Sequence, residues 1–167
     1  NSGSLGDDIE VKQQGKVDLG QAGPRPKLYP DFSASNKALK LNGGYLRIAD
    51  PGEASPLDFT NGDALTLEAW VNPEMSSNGY FYIIGKGRTN RGGSAKGNQN
   101  WSLRLDGKGG RFKLSFLFRD HRNGGDEHFH RWTSAKAFAA RTEWHHVAVS
   151  YTFGKGDSVR GYLDGQP

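Results

Sequence analysis

The chain has no cysteine among its 167 residues, so no disulfide can staple it and no thiolate can hold zinc. It has no apolar run approaching the roughly 20 residues a membrane-crossing helix needs, so no membrane span is expected. A lopsided charge is also missing. The 22 Lys+Arg against 18 Asp+Glu leave +4, mostly interspersed, and a nucleic-acid partner, which calls for a gathered basic face, is not expected. No convincing amphipathic helix of three turns appears; "TSAKAFAART", Thr133 to Thr142, offers at most a short one. No signal peptide is visible, and a chain that starts at Asn1 rather than Met is expected to be a piece of something longer.

What is abundant is glycine. The 24 glycines have no collagen-like period and fall at short intervals, as turns between strands do. A hydrophobic share of 34% and a charged share of 24% suit one globular domain with a polar surface, long enough to bury a core.

Residues 1–36 read as a Gly/Pro-rich leading segment with at most one edge strand, around Ile9 and Val11. Within it "GPRPKLYPDF" favours extended, irregular backbone, because proline restricts both itself and the residue before it. From residue 37 to 167 the pattern is that of a β-sandwich. "ALKLNGGYLRIAD" alternates on both sides of Asn42-Gly43-Gly44 and predicts a hairpin. "ALTLEAWVNP" sets Leu65, Leu67, Ala69 and Val71 on one face and Thr66, Glu68 and Trp70 on the other. "YFYIIGKG" is a more continuous apolar strand. "WSLRLDGKGGRFKLSFLFRD" predicts a second hairpin, and "HHVAVSYTF" with "SVRGYLDG" a third, across Gly154 to Asp157. The fold class that follows is all-β, an antiparallel two-sheet sandwich.

The adjacent histidines of "WHHVAV" bear on catalysis and metal binding. Neighbours on a strand point to opposite faces, so His145 goes with Val147, Val149 and Tyr151, and His146 with Trp144, Ala148 and Ser150. They cannot share one metal. The reading is structural, with one imidazole satisfied by a backbone carbonyl.

"LTLEAWVNP", "IIGKG", "WHHVAVSYTF" and "GYLDG", preceded by "ALKLNGGYLRI", together resemble the laminin-G-like jelly-roll domains of the concanavalin-A-like lectin/glucanase superfamily, over Ala38 to Gly165. "GPRPKLYPDF", "GKGRTN", "HRWTS" and "RGYLDG" are similar to versions of this domain in large multidomain envelope proteins of planctomycetes, which also carry cytochrome-c-like segments. The resemblance implies a jelly roll with ligands at a concave face or a rim loop, and an extracellular or envelope location in a bacterium. It also implies further strands beyond Pro167, so the closing strands are expected to be missing.

Four constellations compete for a role. Glucanases of this superfamily place paired acids on one strand face, a nucleophile and a general acid. "LTLEAWVNP" offers Glu68 alone, beside Thr66, Trp70 and Asn72, so no catalytic residue is assigned and the domain is read as not an enzyme. Trp70 and Glu68 instead make an aromatic-polar face that a ligand could use; a covering loop is the alternative. In the basic loop Gly85 to Asn100 the P-loop lysine is lacking. What remains is a rim loop whose Arg88, Arg91 and Lys96 grip an acidic glycan or protein, against the plainer reading of a solvated insertion.

In "DHRNGGDEHFHRWT", His128 and His130 share a strand face near Asp126, a mixture zinc or nickel accepts, without a defined third ligand. A sugar contact there would use Trp132 or Phe129 for stacking; the alternative packs both rings under a loop. Finally, Asp58, Asn61 and Asp63 in "LDFTNGDALT" put hard oxygens in a short loop where a structural calcium would sit, although Asn61-Gly62 is a hairpin turn in its own right.

The reading is a non-catalytic recognition module in a larger secreted or envelope protein. Its partner is a carbohydrate or a protein domain of the same chain, and no cofactor is required. The alternatives are a glycan hydrolase or lyase of the same superfamily and a structural spacer.

Overall fold

The computed structural model describes residues 10–50, 52, 55–74, 78–87, 99–120, 128–141 and 143–167. Two compact units divide the chain, Asn1–Asp58 and Phe59–Pro167. Sequence places the division at residues 36 and 37 instead.

The first unit is a long antiparallel ribbon. Strand β1 (Val11–Gln14) pairs with β4 (Tyr45–Ile48), and β2 (Val17–Ala22) pairs with β3 (Lys37–Leu41). Two strands therefore stand before residue 36 where sequence expects at most one. The predicted hairpin at Asn42-Gly43-Gly44 is not a hairpin, because β3 and β4 pair with other partners and not with each other. The glycines make a break in the ribbon. A Cβ on Gly44 would lie 2.5 Å from the Lys16 carbonyl oxygen, so only glycine lets the two backbones approach. Between β2 and β3, "GPRPKLYPDF" is irregular as expected. Asn36 pins it, its Nδ2 donating to the Pro24 carbonyl at 3.0 Å while its own carbonyl accepts from Arg25.

The second unit holds two sheets. The first runs β11 (Arg160–Leu163), β10 (His145–Thr152), β5 (Ala64–Val71); the second runs β6 (Gly79–Gly87), β7 (Gln99–Lys108), β8 (Arg111–Arg119), β9 (Phe129–Ala139). All pairs are antiparallel. The β7–β8 hairpin forms as predicted, turning through Gly109 and Gly110 at φ 59° and 78°, the left-handed pair a two-residue turn demands. The β10–β11 hairpin also forms.

Two expectations are corrected. Thr133 to Ala139 of "TSAKAFAART" are the body and end of β9, not a helix, because pairing with β8 satisfies the backbone there. Where the register slips, the Leu114 N–H donates to the Ser134 hydroxyl at 3.0 Å, which replaces a missing ladder bond. Asn61-Gly62 turns before β5 without joining two paired strands. There the Gly62 N–H donates to the Phe153 carbonyl.

The two sheets face each other across an aromatic core. Phe116 and Phe118 of β8 meet Tyr151 of β10 at 5.6 and 5.0 Å, and Phe138 of β9 meets His145 at 4.5 Å. Leu103, Leu105, Phe112, Val147 and Val149 complete the buried layer. At one edge the Trp132 ring of β9 lies over Gly161 of β11, where an added Cβ would stand 2.0 Å from it. This is the antiparallel two-sheet sandwich the alternation predicts, consistent with a jelly roll. Among the described residues, no helix is long and apolar enough to cross a membrane.

Candidate functional site

Strand β10 sits between β5 and β11, so its register fixes what each histidine meets. His145, Val147, Val149 and Tyr151 enter the core, and His146 takes the outer face, as period-two geometry requires. His146 stands directly across from Trp70, and Ala148 from Glu68. The Trp70 and His146 rings are 5.4 Å apart and tilted by 47°. His146 Nε2 lies 3.5 Å from Glu68 Oε2. Trp70 keeps 38% of its surface exposed. An indole, a carboxylate and an imidazole thus share one solvent-facing patch of a sheet whose other side is core.

The patch can hold a flat apolar ring face on the indole and hydrogen-bond to it through Glu68 and His146. The contact between those two is exposed on the carboxylate side, so it orients more than it stabilises.

His145 does not find the backbone carbonyl expected for one of the histidines. Its Nδ1 lies 2.9 Å from Asp164 Oδ2, and Asp164 Oδ1 accepts the His146 N–H at 2.9 Å. The reason is the turn after β11. Asp164 takes a left-handed φ of 51°, which short polar side chains tolerate, and this folds its carboxylate back over the start of β10. The role of the aspartate in "YLDG" was not legible, since nothing in its spacing from the histidines marks a contact.

His130 and Trp132 share one face of β9, as their spacing predicts, while His128 stands just before the strand, and each is engaged. Asp120 lies between the two imidazoles, with Oδ1 3.1 Å from His128 Nδ1 and Oδ2 3.3 Å from His130 Nε2. His130 stacks on Phe118 at 4.6 Å, and Trp132 covers Gly161. Phe129 points to the other face, beneath Arg119 and Arg131. These residues are distant in role from Trp70 and Glu68, which lie on the other sheet.

Asp63 uses its carboxylate within its own turn, accepting from the Thr60 N–H at 2.7 Å and the Thr60 hydroxyl at 3.1 Å. Asn61 rests against Gly154. Asp58 closes the first unit, with its N–H on the Ser55 carbonyl. Among the described residues, no group of three or more His, Asp or Glu is arranged to hold a metal ion. Arg88, Arg91, Lys96 and Asp126 lie outside the described residues.

A family model described as the concanavalin A-like lectin/glucanases superfamily matches residues 42–167. The chain belongs to that superfamily. Neither curated proteins nor solved structures give a match. The matched stretch of this lectin/glucanase-type domain takes in both facing sheets and the Trp70 patch.

Proposed function

We propose that this chain is a non-catalytic module that binds carbohydrate at the Trp70 patch, within a larger secreted or envelope protein of the multidomain kind its sequence resembles. The observation that carries this is the exposed Trp70 indole beside His146, whose imidazole also meets Glu68, on a sheet backed by core. A pyranose presents an apolar face to stack on the ring and hydroxyls at its rim for the carboxylate and the imidazole. Membership of a superfamily of lectins and glucanases supports the ligand class.

Binding without bond cleavage is the reading because a glycosidase needs two carboxylates roughly 5–9 Å apart across the sugar bond. The polar neighbour of Glu68 on its face is the imidazole of His146. The proposal requires no cofactor.

A glycan array probed with the chain, followed by titration of the best hit against Trp70→Ala, tests it. Loss of binding in a variant that keeps its melting temperature is the expected result. An array without hits, or equal affinity in both proteins, overturns it.

A further inference from the structure

On the opposite side of the sandwich, the outer face of the four-stranded sheet has a different chemistry. Register places Tyr82 of β6, Arg104 of β7 and Ser115 of β8 in a row across it. Ser102 precedes Arg104 by two residues and so shares the face. Arg104 is only 4% exposed, and Ser102 has no exposed surface at all.

A buried guanidinium is ordinarily matched by a carboxylate, because removing a charge from water is costly without a counter-charge. Arg104 has none among the described residues. Its Nη2 donates to the Ser115 hydroxyl at 3.1 Å, and its Cζ lies 4.2 Å from the Tyr80 ring centroid and 5.7 Å from that of Tyr82. Among the described residues its Nε has no partner, and neither does the Ser102 hydroxyl. One nitrogen of a buried cation and a buried hydroxyl, two residues apart on one face, thus lack hydrogen-bond partners among the described residues.

Further cations lie on this face among the described residues. Arg119 and Arg131 flank Phe129, with their Cζ atoms 5.6 and 5.8 Å from the ring centroid. The carboxylate of Asp106 is opposed directly across the ladder by Lys113. Tyr80, whose ring lies over the guanidinium, is itself half exposed.

We propose that this face is a second binding site, for an acidic polysaccharide, in which Arg104 Nε and the Ser102 hydroxyl take a uronate carboxylate. The sugar ring lies against Tyr80, and Arg119 and Arg131 attract the neighbouring charges of the polymer. A planar carboxylate suits the fork of an arginine, and the desolvated setting strengthens the pair. The inference depends on the carbohydrate reading above only for the choice of polymer; its residues are separate from the Trp70 patch.

Affinity electrophoresis of the 167-residue chain in polygalacturonate, with neutral dextran and dextran sulfate as comparison polymers, tests the site. The chain is expected to be retarded by polygalacturonate and not by dextran, and Arg104→Gln to weaken that retardation about tenfold or more. Ser102→Ala separates a ligand role from a structural one. It removes a buried hydroxyl with no protein partner, so its melting temperature should hold or rise while its affinity for polygalacturonate falls. Should Arg104→Gln fail to fold, Ser102→Ala and Tyr80→Ala carry the decision.

No retardation of the native chain overturns the site, as does unchanged affinity in Ser102→Ala and Tyr80→Ala. Retardation by dextran sulfate that exceeds polygalacturonate and ignores these substitutions also overturns it, leaving only bulk charge. Trp70→Ala keeps polygalacturonate binding if the two sites are separate, so either can fail without the other.

Discussion

The two units are both antiparallel and both alternate apolar with polar residues, yet they bury those residues very differently. In the first, Leu39, Leu41, Tyr45, Leu46 and Ile48 alternate or cluster along β3 and β4 and all remain exposed, Leu41 by 44%. In the second, Leu103, Val147 and Val149 alternate in the same way and have almost no exposed surface. The difference lies in layers. The ribbon β1–β4/β2–β3 is two strands wide, so each strand is an edge. Strands β7, β8 and β10 have neighbours on both sides and a second sheet across from them. Alternation creates a strand with an apolar face, and only a facing layer makes that face a core.

The comparison is sharpened most by deletion in the two settings. Phe116→Ala empties a site packed against Phe118 and Tyr151, and is expected to lower stability by about 3–5 kcal/mol. Leu41→Ala, in the ribbon, should cost no more than about 1 kcal/mol. Urea unfolding of both variants measures the gap, and equal losses would break the comparison.

Gly161→Ala probes the seam where Trp132 crosses between the sheets. The added methyl must displace the indole, at an expected cost of about 1–3 kcal/mol. A thermal melt indistinguishable from the native protein would show that the seam is loose. Asp164→Ala, at the other end of β10, leaves His145 Nδ1 and the His146 N–H without their acceptor. A loss of about 1–3 kcal/mol is expected, with Asn at the same position retaining part of it.

A smaller effect is read with pH. Burial pushes the Tyr151 phenol above its ordinary value of 10.0, and its hydrogen bond with the Gly154 backbone acts the other way without cancelling it. The folded state therefore favours the neutral phenol. Its contribution is complete below pH about 10 and falls as pH rises through the raised folded value. The urea midpoint should drop over that alkaline range, and Tyr151→Phe should flatten the drop. An identical alkaline profile in the variant would assign the effect to other groups.

Much of the second unit was legible because its signals are local. Period-two spacing gave the faces of β5, β7, β8 and β10, and Gly109-Gly110 gave the turn that joins two of them. Strand β9 was obscured because its alanines and Ser134 carry helix-like spacing, and its register slip is repaired by a side chain that no local rule announces. The Asn42 to Gly44 break read as a hairpin because a turn sequence looks alike whether the chain reverses there or merely crosses a partner. At the candidate site, Glu68 and Trp70 were legible as one face. His146 entered through strand pairing, a non-local fact. Arg104 sat on the face that alternation marks as polar, and its burial depends on neighbours that spacing does not reveal.

The claim on which the functional account rests is that the Trp70 face recognises sugar while the sandwich beneath it does no more than hold it. Isothermal titration of the strongest array glycan into the native chain and into Trp70→Ala, with melting temperatures recorded for both, tests it most directly. The account predicts micromolar-to-millimolar binding, of the order expected for a shallow site, abolished in the variant while the melt is unchanged. Binding that survives the substitution, or a loss that comes only with a lowered melting temperature, would contradict it.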